Sequence, residues 1–181
     1  MIYVFLAKGF EEIEALTVVD YLRRAEMDVC TVGIGGKIIA GSHDIPVFCD
    51  LDETEVNVGD NIDAIVLPGG MPGTLNLEKS DTVNRFIDFC VQNDKYICAI
   101  CAAPSILGHK GLLEGKKACC FPGFENELFG ADVSKDFVCV DGKIITAKGM
   151  GAAISFSREI VAELLDKNTA DRIKAALQCP F

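Results

Sequence analysis

Histidine is nearly absent from this chain: His43 and His109 are the only two in 181 residues. That scarcity restricts both metal chemistry and Cys–His nucleophilic catalysis. Basic charge is short as well. Seventeen Lys and Arg against 27 Asp and Glu leave a net charge of −10, which argues against non-specific binding to nucleic acid or to an anionic membrane surface. Long apolar runs are also missing. The first, Ile2 to Ala7, is too short for a spanning helix or a signal-peptide core and has no basic stretch before it. A cytoplasmic location with no membrane partner is therefore expected. No internal repeat, linker or low-complexity segment interrupts the chain, so residues 1–181 read as one domain.

Apolar residues make up 50% of the chain and charged ones 24%, enough for a sizeable core and incompatible with disorder. Nine cysteines are many, but their number is odd and the chain is not turn-dominated. A disulfide framework is disfavoured, and most of these thiols read as reduced, buried small hydrophobes.

Strand and helix patterns alternate almost from the first residue. Ile2 to Ala7 suits a strand buried on both faces. Ala15, Val18, Val19 and Leu22 then fall on one helical face, with Glu11, Glu12 and Glu14 in the opening turn and Arg23 and Arg24 in the last, charges that suit the helix dipole. Further strands are expected at Asp28 to Gly33, Ile62 to Leu67, Tyr96 to Ile100, Lys117 to Cys120, Phe137 to Val140 and Lys143 to Ala147. The last two join as a hairpin across Asp141-Gly142, and Lys37 to Asp50 reads as a hairpin-like excursion around Gly41. Helices are expected around Val83 to Cys90, over Ala102 to Leu113, from Ala153 to Leu164 and from Asn168 to Leu177. This alternation implies an α/β fold, a mostly parallel sheet between helices, whose sites form outside the carboxyl ends of the strands. Three loops then matter: Lys8 to Glu12, Pro68 to Thr74, and the junction at Cys101.

Cys101 sits where a strand turns directly into a helix, in Ala99-Ile100-Cys101-Ala102-Ala103-Pro104. A thiol there faces unpaired N–H groups, which favour thiolate and resemble a nucleophile elbow. The competing reading is an inert core cysteine like the other eight. Glu11 and Glu12 read as helix-end acids, whereas Glu14 can turn toward the strand ends. Beside a thiolate, Glu14 is useful only if burial holds its proton near neutral pH. The glycines of Leu67-Pro68-Gly69-Gly70 allow close backbone approach, so the Gly70 N–H can join that of Ala102 in binding an oxyanion. An ordinary strand-ending turn is the plainer alternative.

Other candidates carry less. Cys98 and Cys101 have C-x-x-C spacing, but period-two alternation sends Cys98 to the opposite face. His109 lies eight residues past Cys101, about 12 Å along a helix, and reads as a helix-end charge. His43 falls in the polar Gly41-Ser42-His43-Asp44 turn, solvated by default, although it can reach a site from the rim or from a second subunit.

Three motifs resemble the signatures of the ThiJ/PfpI superfamily: Ala7-Lys8-Gly9-Phe10-Glu11-Glu12-Ile13-Glu14, Val66-Leu67-Pro68-Gly69-Gly70 and Ala99-Ile100-Cys101-Ala102-Ala103-Pro104. The similarity is to its parkinsonism-associated deglycase branch, whose late Gly-x-Gly loop Lys148-Gly149-Met150-Gly151 also resembles. The resemblance implies a flavodoxin-like sandwich, a homodimer joined through the first helix and the Gly41 to Asp50 region, Cys101 at the elbow hydrogen-bonded to Glu14, and Gly70 and Ala102 as oxyanion donors. It implies no metal and no cofactor. The activity it implies is that of a glyoxalase or deglycase on 2-oxoaldehydes such as methylglyoxal or on glycated adducts. A redox-sensing or chaperone-like stress protein, with Cys101 as an oxidisable switch, is the alternative. The chain departs from the pattern at Phe121-Pro122, where many members have His-Pro. With no histidine after His109, peptidase and amidotransferase chemistry are disfavoured.

Overall fold

The computed structural model describes residues 1–59 and 61–179. Its main sheet follows from apolar runs that bury both faces. β1 (Ile2–Ala7) is buried at every position, sending Ile2, Val4 and Leu6 into one core layer and Tyr3, Phe5 and Ala7 into the other, as the period of a strand requires. α1 (Glu12–Arg24) follows, then β2 (Val29–Ile34), an antiparallel hairpin of β3 (Ile38–Ala40) and β4 (Pro46–Phe48), and β5 (Leu51–Asp52). β6 (Ala64–Leu67), α2 (Gly73–Lys79), α3 (Asp81–Gln92), β7 (Tyr96–Ile100) and α4 (Pro104–His109) come next. β8 (Lys117–Ala118) pairs with β9 (Asp132–Val133) outside the main sheet. β10 (Val138–Asp141), β11 (Ile144–Ala147), α5 (Ala153–Leu164) and α6 (Lys167–Ala176) complete the chain. The seven-stranded order is β10-β11-β7-β6-β1-β2-β5, parallel except for β10. α1, α5 and α6 cover one face, while α2, α3 and α4 cover the other. This is the flavodoxin-like α/β sandwich.

Several short elements depart from the sequence expectation. The helix expected over Ala102 to Leu113 is confined to Pro104–His109, because residues 101–103 form a separate turn ahead of the proline. α2 lies in a stretch without helical periodicity. Contacts from outside the helix hold it: the Gly73 N–H donates to the Gly9 carbonyl at 3.2 Å and the Asn76 side chain to the Lys8 carbonyl at 2.9 Å. The strand expected from Lys117 to Cys120 is shortened to two residues, and its partner β9 has no strand pattern in the sequence.

The chain runs outward from β1 through β2 to β5, then returns to β6 on the other side of β1. Loops therefore part at the carboxyl ends of β1 and β6, the switch point where open α/β sheets place their sites.

Candidate functional site

Cys101 follows the last residue of β7 with φ +66°. Left-handed backbone is uncommon for a side chain, and here it is held from both sides. The Cys101 N–H donates to the Ala147 carbonyl at the end of β11, and the Phe121 N–H donates to the Cys101 carbonyl, both at 2.8 Å. The turn points the sulfur back over the strand ends, where the Gly70 and Ala102 N–H groups donate to it. The structure thus brings Cys101, Glu14, Gly70 and Ala102 to one point.

Glu14 arrives from the first turn of α1. Glu11 caps that helix, its carboxylate accepting the Glu14 N–H at 2.7 Å. Glu14 itself is only 1% exposed. Its carboxyl is hydrogen-bonded to the Cys101 sulfur and accepts N–H groups from Gly69, at 2.9 Å, and from Met150. Burial dominates its titration and raises it to about 7, against those hydrogen bonds and with help from the nearby Glu11 charge. The proton that the sequence demanded of Glu14 is therefore available near neutrality.

Cys101 behaves differently from the thiolate expected at a helix end. Burial first, then the Glu14 charge, push the thiol up to about 12, opposed by the Gly70 and Ala102 N–H groups. The helix behind it begins only at Pro104 and spans six residues, so little dipole reaches the sulfur. Two acids in one pocket share a single negative charge; with titrations at about 7 and about 12 it rests mainly on Glu14, and sulfur carries it only once its proton has passed to Glu14.

Sequence reasoning named Gly69 for close backbone approach but did not place it against Cys101 and Glu14. A Cβ there would lie 2.5 Å from Cys101 Cβ and 2.7 Å from Glu14 Oε2, so only glycine lets the loop close over both. Gly70, at φ +90°, aims its N–H at the sulfur. The Met150 amide was also unforeseen, although the Gly149-Met150-Gly151 pattern marked its loop.

The discounted residues stay away from the sulfur, with one correction. Cys98 packs in the α1/α5 layer, and Cys101 packs against that same layer because its left-handed turn breaks the strand alternation. Both thiols are free. Three residues of strand, at ~3.3 Å each, still hold their Cα atoms beyond the reach of a disulfide. His109 is engaged by Glu78 and by Glu127 at 2.9 Å. His43 pairs with Glu12 at 3.0 Å. Burial alone would raise the Glu12 carboxyl, but hydrogen bonds from His43 and Ser42 bring it down to about 2. Glu11, Glu12 and His43 bring ligand atoms within 4.8 Å of one another, yet the Glu11 cap and the Glu12 bonds already occupy these carboxylates. Among the described residues no helix is long and apolar enough to cross a membrane.

Comparison with known proteins points one way. The model of the DJ-1/PfpI family matches residues 1–163. Protein dj-1beta of Drosophila melanogaster is 33% identical over 177 residues, 96% of this chain and 94% of its own. A deglycase of Pyrococcus abyssi is 29% identical over 164 residues, 88% of this chain and 96% of its own. A cysteine-to-alanine mutant of a DJ-1 superfamily protein from Salmonella typhimurium superposes with a TM-score of 0.94 at 32% identity, covering 99% of this chain and 98% of that one.

Proposed function

The chain belongs to the DJ-1/PfpI family, and we propose that it is a cofactor-independent cysteine enzyme acting on 2-oxoaldehydes such as methylglyoxal or on their early glycation adducts. One observation carries this reading: a buried carboxyl that titrates at about 7 is hydrogen-bonded to a sulfur that also receives two backbone N–H groups. Glu14 takes the proton of the Cys101 thiol, and the thiolate so formed attacks the aldehyde carbon. A C–S bond forms, and the carbonyl electron pair moves onto oxygen beside the Gly70 and Ala102 amides. Glu14 gives that oxygen its proton, takes the hydrogen of the same carbon as a proton, and returns it to the neighbouring carbon while the hydroxyl proton passes to the neighbouring oxygen. The hemithioacetal becomes a 2-hydroxy thioester without net oxidation. Water then cleaves the C–S bond, one of its protons passing to Glu14, to release the 2-hydroxy acid and the thiolate. An aldehyde is electrophilic enough to need no histidine base.

The test is lactate formation from methylglyoxal without added thiol. Wild type should turn over, Cys101→Ser should fall to background, and Glu14→Gln should lose the ~10²–10⁴-fold typical of a missing general acid–base. Full activity in Cys101→Ser would overturn the nucleophile. A second reading, a peroxide-sensing switch, is favoured by the partial exposure of Cys101, shared among the nine cysteines only with Cys179. It predicts sulfinate at Cys101 and no lactate. A homodimer through α1 and the β3–β4 hairpin, together with a cytoplasmic location, completes the proposal.

A further inference from the structure

We infer that the site selects 2-oxoaldehydes whose ketone carbon carries an apolar or aromatic group, and that Phe121 and Met150 make the selection. The inference rests on the nucleophile reading above. Once sulfur has bonded the aldehyde carbon, the substituent on the next carbon must project from the sulfur in a direction the protein leaves open. Inward directions are filled. An added carbon at Gly69 would already lie 3.0 Å from the sulfur, and Glu14, Ala102 and Ala103 are buried.

Two exposed side chains hang on the backbone stretches that hold the reacting groups. The Phe121 N–H donates to the Cys101 carbonyl, and the Met150 N–H donates to Glu14. The Cβ position at Gly149 lies 3.1 Å from the Phe121 ring and 3.6 Å from Glu14 Oε1, so ring and carboxyl flank one spot. Both side chains are open, Phe121 at 45% and Met150 at 49%. The lysine next to Gly149 is engaged elsewhere, Lys148 Nζ donating to the Lys135 carbonyl at 2.6 Å and lying over the Phe137 ring. A phenyl or alkyl substituent would cover the Phe121 and Met150 surfaces, while a bare hydrogen leaves them wet.

The experiment compares kcat/KM for phenylglyoxal and glyoxal in wild type, Phe121→Ala, Phe121→Leu and Met150→Ser. Intrinsic reactivity cancels in the change of the phenylglyoxal-to-glyoxal ratio between proteins. That ratio should fall by about tenfold in Phe121→Ala, within the range of one lost apolar contact, fall less in Phe121→Leu, and fall in Met150→Ser, which keeps its amide for Glu14. Should Phe121→Ala fail to fold, the leucine and serine variants carry the same comparison. Ratios within twofold of wild type while turnover persists would overturn the inference alone. Absence of turnover on either aldehyde in wild type would instead sink the nucleophile reading, and this inference with it.

Discussion

Glu14 is held in its protein at a cost that grows with pH. Its folded titration near 7 stands above its ordinary 4.5, so folding favours the protonated form. The sign follows from linkage: that contribution is fully present below about 4.5 and is lost as pH rises through about 7. At ~1.4 kcal/mol per pH unit, keeping the buried charge above neutrality costs up to about 3 kcal/mol. Glu14→Gln carries no charge at any pH. It strands one of the two N–H donors, which returns about 1 kcal/mol of the gain. Thermal melts should show the variant more stable than wild type at pH 8.5 and no more stable at pH 5. Equal melting temperatures at pH 8.5 would show that the carboxyl bears no such burden. The stability gained in this variant would accompany the loss of turnover, the exchange expected where an acid is buried for function.

At the scale of elements, short pieces depend on what they touch. α4, α2 and the 3-10 turn at Glu125–Glu127 are each too short to hold themselves. His109, at the end of α4, joins them through Glu78 on α2 and Glu127 on that turn. Its titration is raised above the ordinary 6.5 by the Glu78 and then the Glu127 hydrogen bonds. A raised histidine stabilises fully below about 6.5 and loses that contribution as pH rises through its folded value. The pair is partly solvated, so the effect should stay within about 1 kcal/mol. Denaturant unfolding at pH 6 and pH 9 should show wild type losing more stability on that rise than His109→Gln. Identical pH slopes would show that the bridge contributes nothing.

For the whole molecule, the telling feature is an apolar surface on an otherwise acidic protein. Ile13 and Leu16 on α1 and Ile38, Ile45 and Phe48 of the β3–β4 hairpin are exposed, Phe48 by 73%. The Glu12–His43 and Glu12–Ser42 bonds dock the hairpin loop onto α1, making the two one continuous face. A net charge of −10 keeps monomers apart except where such a face can be covered. Light scattering at micromolar concentration should report a dimer, and Phe48→Glu a monomer or a mixture, because a buried carboxylate on each copy opposes association. A wild-type monomer at that concentration would refute the interface.

The order of the main strands and long helices was legible in the sequence, because periods of two and 3.6 are local properties of residues such as Ile2 to Ala7 or Ala153 to Leu164. Cys101, Glu14 and the Gly69-Gly70 turn could be singled out for the same reason: each lies at the end of a readable strand or the start of a readable helix. α2, β5 and β9 could not, since the contacts that hold them come from distant chain and leave no pattern of their own. Only the tertiary structure decided that Glu14 is buried and titrates near 7, that the Cys101 thiol is pushed up, that Gly69 admits no Cβ, and that Met150 supplies an amide. These properties depend on how closely Glu14, Gly69, Cys101 and Met150 approach. That spacing is set by the register of four parallel strands, β1, β6, β7 and β11, and by the cost of excluding water among them.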